Sequence, residues 1–115
     1  MRRNGFFRIA RVELAMPSIT AAVMGLLDPD EIGFSMCERS DGSLTHGPVA
    51  RGTPTSVSIP VSCPPGTVFV GLGHTHPRGV AFPSQQDIRS ARQTGARNLC
   101  IRSDDRTACF QVSGV

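Results

Sequence analysis

Apolar and polar residues alternate in several short stretches of this chain, and in two places the spacing turns helical. Phe6 to Leu14 reads F-F-R-I-A-R-V-E-L, which predicts a strand. Pro17 suits the first turn of a helix, and Ile19, Val23, Leu26 and Leu27 fall on one of its faces. That helix should end before Asp28-Pro29, because the residue ahead of a proline is pushed out of the α region. A second strand follows from Glu31 to Cys37, and Asp41-Gly42 is a hairpin turn signal leading into a short third one. Residues 47–55 read as loop. Val57 to Val61 alternates again, with Pro60 marking an edge strand or a bulge. The run T-V-F-V-G-L-G-H-T-H from Thr67 is the most apolar and reads as a central strand, stopped by Pro77. A loop from Arg78 to Pro83 precedes the helical S-Q-Q-D-I-R-S-A-R-Q-T, with Gly95 placed to cap its end. Two last strands, Asn98 to Ser103 and Thr107 to Val112, should pair across Asp104-Asp105. The order β-α-β-β-β-β-α-β-β predicts an α/β fold, a mixed sheet with helices packed on it.

Composition narrows the classes. At 115 residues the chain has room for one domain, expected to span 1–115. No apolar run approaches the roughly 20 residues of a membrane span. Ile19 to Leu27 is too short, and the acidic residues after it are a poor cleavage site for a leader. A soluble, cytoplasmic protein without membrane association is the expectation. All twelve basic residues are Arg, spread along the chain rather than blocked, and there is neither Trp nor Tyr. A net charge of +3 permits a nucleic-acid partner without arguing for one. The groups around Arg2, Arg3, Arg8 and Arg11 read as a solvated face, and Phe6 and Phe7 as core or dimer-interface residues.

The chemistry concentrates near Pro77. His74 and His76 stand at i and i+2 on a strand, so both imidazoles leave the same face a few Å apart, as two ligands of one metal must. Asp87 lies in the first turn of the next helix, where Ser84-x-x-Asp87 also reads as a capping arrangement. A short loop can swing that helix start back over the strand mouth. Two His and one Asp leave a fourth position for water, the open form of a catalytic zinc site. Hydrolysis also needs a base to manage the proton of that water, and Glu31, at a strand head, is the candidate. Glu38 is a second acidic candidate, and His46, after a weak strand, reads as a solvent or supporting residue.

The run G-H-T-H-P-R-G-V-A-F-P-S-Q-Q-D resembles the JAMM (MPN+) metalloprotease motif: H-S/T-H-P, a short loop, then S-x-x-D. D-P-D-E-I-G-F-S at 28–35 is similar to the region of that family's upstream glutamate, and P-P-G-T-V-F-V-G-L-G ahead of His74 fits as well. The resemblance implies the JAMM/MPN fold, of the cytidine-deaminase-like kind. It implies a Zn2+ site of His74, His76 and Asp87, with Glu31 as general acid/base and Ser84 hydrogen-bonding the oxyanion. Thr75 stands where many members have Ser. With its short loop after Pro77, the chain looks like the minimal archaeal or bacterial type. What that implies is attack of water on a peptide or isopeptide carbonyl in a conjugate of a ubiquitin-like or sulfur-carrier modifier. The expected partner is therefore a protein substrate, with a second copy of the chain as another candidate. Two other classes compete: a catalytically silent scaffold of the same fold, which usually lacks a ligand, and an Arg-rich nucleic-acid-binding module.

The cysteines at 37, 63, 100 and 109 contain no C-x-x-C pair, and reduced, partly buried thiols are the expectation in a reducing compartment. Counting outward from a two-residue turn at Asp104-Asp105 makes Cys100 and Cys109 cross-strand neighbours in a non-hydrogen-bonded pair, close enough to bridge on oxidation. No such geometry follows for Cys37 and Cys63.

Overall fold

The computed structural model describes residues 7–12, 29–77, 80–103 and 106–114. The helix expected over 17–27 lies outside the described residues, as do Arg2, Arg3, Phe6 and the turn residues Asp104 and Asp105. The strands are β1 (Phe7–Val12), β2 (Ile32–Glu38), β3 (Leu44–His46), β4 (Ala50–Arg51), β5 (Val68–Thr75), β6 (Asn98–Ser103) and β7 (Arg106–Gly114); the helix α1 (Gln85–Thr94) lies between β5 and β6. They form one sheet in the order β1-β7-β6-β5-β2-β3, with β4 pairing β2 beside β3. Among the described residues only β5 and β6 run parallel, joined through α1; the other pairings are antiparallel. The mixed sheet matches the expectation, and its one described helix follows the apolar central strand.

Two departures concern residues 47–67. Within the expected loop, Ala50 and Arg51 pair back onto Gly33 and Ile32 as β4. The strand expected over Val57–Val61 does not form. The edge of β2 that it would need is already taken by β4 and β3, and β5 holds the other edge. Residues 52–67 instead cross the face of β2 as a strap. The Ser35 hydroxyl donates to the Pro60 carbonyl at 2.8 Å and accepts from the Ser62 amide at 3.1 Å, standing in for ladder bonds. Gly47 lets the strap approach, because a Cβ there would collide with the Ser62 carbonyl.

The core divides by face. Phe34, Met36, Val70, Cys100 and Cys109 pack on one side of the sheet. Leu72, Ala91, Ala96, Leu99 and Val112 pack on the other, joined by Ile59 of the strap and Ile88 of α1. In β5, Gly71 pairs with Met36 and Phe69 with Cys37, so Val70 is the extra residue of a bulge. The bulge switches the side-chain alternation, which is why Phe69 and Leu72, three residues apart, share the helix side. His74 then follows Leu72 onto that side.

Both disulfides are formed, Cys37–Cys63 and Cys100–Cys109, and among the described residues no cysteine is free. The expectation of reduced thiols is therefore corrected. Cys100 and Cys109 sit opposite each other in the β6–β7 register, with Cα atoms 4.0 Å apart, as the turn count implied. The Cys37–Cys63 pair, with Cα atoms 5.8 Å apart, arises only because the strap folds back over β2. Among the described residues no helix is long and apolar enough to cross a membrane.

Candidate metal centre

The site lies where β5 ends and β2 begins. The antiparallel register pairs Gly33 with His74. Side chains two residues either way share that face, so Glu31 and His76 flank the Gly33–His74 pair on the helix side. Glu31 and His74 are buried. Its own backbone fixes Glu31 in place: its amide donates to the Thr53 carbonyl at 2.7 Å, and its carbonyl accepts from the Gly52 amide at 2.8 Å. On the other side of β2, the Ile32 amide donates to Thr75 Oγ1 at 2.9 Å. Thr75 thus ties the strand holding Glu31 to the strand holding the histidines.

The two imidazoles meet edge to face, with centroids 4.9 Å apart. Past β5 the chain stays with β6, the His76 amide donating to the Arg102 carbonyl at 2.8 Å. His76 Nδ1 lies 2.9 Å from the Val80 carbonyl. A carbonyl only accepts, so the proton is on Nδ1 and Nε2 faces the site. This is how a ligating histidine is usually held.

α1 delivers the third group. Ser84 is its N-cap, and the capping box is complete: Ser84 Oγ accepts from the Asp87 amide at 3.1 Å, and Asp87 Oδ2 accepts from the Ser84 amide at 2.8 Å. The carboxylate that closes the cap also spans the histidines. Asp87 Oδ1 is 3.4 Å from His74 Nε2, and Oδ2 is 3.2 Å from His76 Nε2. Glu31 Oε1 reaches the other nitrogen of His74, Nδ1, at 3.3 Å. Ser84 Oγ, acting as an acceptor in the cap, keeps its own O–H to donate.

The electrostatics follow from this crowding. Burial alone would lower the pKa of His74, but hydrogen bonds and charge attraction from Asp87 and Glu31 outweigh it and raise the pKa to about 9. Burial would raise Asp87, yet the two histidines and the Ser84 amide hold it well below the usual carboxylate range. His76 is raised, chiefly by Asp87. A proton on the His74 imidazole thus offsets the charge of the carboxylates on either side of it.

Glu31, His74 and His76 form a potential metal-binding group, their ligand atoms all within 4.8 Å of one another. With Asp87 they line a cavity of about 370 Å³, together with Ser84 and the strap residues Pro54–Val57. The residues singled out in the sequence, His74, His76, Ser84, Asp87 and Glu31, thus stand around one cavity. Glu38 is exposed at the far end of β2, paired with Leu44 and Val68. His46 sits on β3 against Phe34 and is outside the group. Three contributors escaped the sequence reading. A threonine between two histidines carries no signal of its tether, the Val80 carbonyl is a backbone atom, and the strap wall exists only in three dimensions.

The family model for prokaryotic homologs of the JAB domain matches residues 38–113, and the chain belongs to that family. The match takes in His74, His76, Ser84 and Asp87 and begins after Glu31. Comparison with curated proteins and with solved structures finds no match.

Proposed function

We propose that the chain is a zinc-dependent hydrolase that cleaves a peptide or isopeptide bond, releasing a ubiquitin-like or sulfur-carrier modifier from its conjugate. The observation that carries this reading is the convergence of the Asp87 carboxylate on Nε2 of both histidines, with Glu31 beside them in the same cavity. Asp87 Oδ1 lies 3.4 Å from His74 Nε2 and Oδ2 lies 3.2 Å from His76 Nε2, so the carboxylate and both rings are close enough that they would hold one cation between them. Neutral imidazole nitrogen and carboxylate oxygen are also donors that zinc accepts. His74, His76 and Asp87 are therefore the proposed ligands, with the fourth position left to water.

Zinc bound there would supply Lewis acidity and lower the pKa of its water. The other roles belong to the chain. Glu31 takes the proton of the attacking water and returns it to the departing nitrogen, while its contact with His74 Nδ1 orients that ring. The Ser84 hydroxyl donates to the carbonyl oxygen as negative charge develops. Asp87 links ligand geometry to helix geometry, since a shift of α1 would move it away from both rings.

Metal content is the first test. Purified protein should hold one zinc per chain, removable by chelator, and His74→Ala, His76→Ala and Asp87→Ala should each strongly reduce it. His46→Ala should leave the metal in place. Full zinc content in all three ligand variants would overturn the assignment. Zinc-loaded protein that turns over no modifier conjugate or tail peptide would instead favour the silent scaffold.

A further inference from the structure

The strap beside the metal centre is fastened to β2 near its start, in its middle and at its end. At the start, the Glu31 amide donates to the Thr53 carbonyl at 2.7 Å. In the middle, the Ser35 hydroxyl holds the Pro60 carbonyl and the Ser62 amide at 2.8 and 3.1 Å. At the end stands the Cys37–Cys63 disulfide, joining positions 26 apart in sequence. Between the first two fastenings, among the described residues, Val57, Ser58 and Ile59 make no backbone–backbone hydrogen bond. The disulfide is thus the one covalent hold on a segment that has no ladder.

The two disulfides differ in what a reagent can reach. Cys100 and Cys109 are 0% and 5% exposed, so neither sulfur of that bond is open to attack. Cys37 is also 0% exposed, but Cys63 is only half-buried, with exposed Val61 and Ser62 before it and exposed Pro65 and Gly66 after it. A tight turn follows, in which the Thr67 hydroxyl donates to the Pro64 carbonyl at 2.7 Å and the chain passes straight into β5. Cys63 therefore stays beside the sheet whether or not the sulfur bridge is closed. The carbonyls of Ser35 and Ser62 lie 3.7 and 3.8 Å from Cys37 Sγ, acceptors for the S–H that reduction would create there. A free thiol is also well tolerated in an apolar interior.

We infer that Cys37–Cys63 is a thiol-exchange site, opened at Cys63 by a dithiol reductant, and that its redox state sets how firmly the strap is held against the metal centre. The incoming thiolate bonds to Cys63 Sγ as the S–S bond breaks, and the electron pair leaves on Cys37 Sγ, which takes up a proton. The second thiol of the reductant then displaces Cys63 from the mixed disulfide. The protein gains two S–H groups and the reductant becomes a disulfide. Ser62 is next to Cys63, so its bond to Ser35 is the first to feel the loss of the covalent hold. Hydrogen bonds break and reform, and the strap from Thr53 to Ser62 then opens more often. Pro54–Val57 line the reaction cavity and Thr53 receives the Glu31 amide, so the opening reaches the proposed base but not His74, His76 or Asp87. That effect on turnover rests on the proposed hydrolase reading; the exchange site does not.

The test begins with the unaltered, natively folded protein and graded dithiothreitol. Thiols are alkylated at intervals and located by mass spectrometry, and amide hydrogen exchange is recorded on samples left unalkylated. Positions 37 and 63 should be labelled at least about tenfold faster than 100 and 109, because access to a sulfur governs the rate of exchange. Amide exchange over residues 53–62 should speed up as labelling appears and slow again on reoxidation. Cys63→Ser opens the bridge without a reductant that would compete for zinc. It should speed exchange over the same residues by at least about tenfold, keep one zinc per chain and lower turnover by about tenfold or more. Equal labelling of the two pairs, earlier labelling of 100 and 109, no labelling short of denaturation, or unchanged strap exchange after reduction would each overturn the inference. So would loss of zinc from Cys63→Ser, or faster strap exchange with undiminished turnover. If the variant fails to fold, the order of labelling and the reversible change in strap exchange decide on the unaltered chain. Ordered labelling and a loosened strap with no conjugate cleaved by either protein would leave the exchange site standing and overturn the hydrolase reading instead.

Discussion

Thr75→Val tests whether the site is held together by the link between its two strands. The Ile32 amide and the Thr75 side chain meet at 2.9 Å, and both residues are only 6% exposed. The last registered β2–β5 pair is Gly33–His74; beyond it the backbone of β5 follows β6, where Thr75 pairs with Arg102. The Thr75 hydroxyl is the acceptor that the Ile32 amide finds. Valine keeps the shape and removes the lone pairs, leaving a buried N–H unsatisfied at a cost of about 1–3 kcal/mol. Thr75→Ser keeps the oxygen and loses one methyl, about 0.8 kcal/mol of apolar burial. Urea denaturation of the metal-free proteins should therefore rank unaltered chain, then serine, then valine. Zinc content should remain in both variants, because His74, His76 and Asp87 are untouched, while turnover should fall further for valine as Glu31 loses its anchor to β5. A valine variant as stable as the unaltered protein, or a serine variant as damaged as valine, would refute the tether.

Further outcomes follow from the same geometry. Glu31→Gln should lower turnover by ~10²–10⁴-fold, the usual worth of a general base, with zinc retained; Glu38→Gln, at the far end of β2, should do neither, and the reverse pattern would reassign the base. In the metal-free protein, His74 is raised from 6.5 to about 9, so the stability it contributes is complete below pH 6.5 and is lost as pH rises through about 9. Asp87 is lowered from 3.8, so its contribution is present above that value and is lost as pH falls. These are two ends of one interaction, and denaturation across pH should show a maximum between about pH 4 and 6.5 that zinc loading extends toward alkaline pH. A flat profile from pH 6 to 10 would contradict it. Thiol titration of denatured protein should find none of the four cysteines free before reduction and all four after it. Disulfides persist in oxidising surroundings and are rare in reducing ones, so that count bears on the cytoplasmic expectation.

The residues that gather around the candidate site are legible because they are close in sequence or obey a simple period. His74 and His76 share a face by strand alternation, and Ser84 and Asp87 are fixed by capping-box chemistry in an isolated helix turn. The pairing of Cys100 with Cys109 followed from counting back from a turn. The failures lie where long-range competition decides. Val57–Val61 has a strand's alternation, but a strand needs a free edge, and β4 and β3 had taken it. Ala50-Arg51 reads as loop because the three residues between Pro48 and Gly52 carry no periodic signal, yet two of them suffice to occupy that edge. The Cys37–Cys63 bond depends on the strap's path and so was invisible for the same reason.

The polar face of β2 brings these strands of the argument together. Its buried even positions Phe34 and Met36 belong to the core on one side of the sheet. The odd positions, starting one residue before the strand, are Glu31, Gly33, Ser35 and Cys37, and each meets a different point of the site or its wall. Glu31 reaches His74 and bonds the strap's first residues through its backbone. At Gly33 a side chain would collide with Ile59, so glycine lets the strap lie flat beside His74. Ser35 holds the strap at Pro60 and Ser62, and Cys37 bonds it at Cys63. A purely apolar alternation would have buried this face under a second layer. Here, in strict period two, the Glu31 backbone, the Ser35 hydroxyl and the Cys37 disulfide fasten an irregular segment at successive points, and Gly33 leaves room for it. That spacing makes the strap a fixed surface beside the histidines, although it has no ladder to hold it.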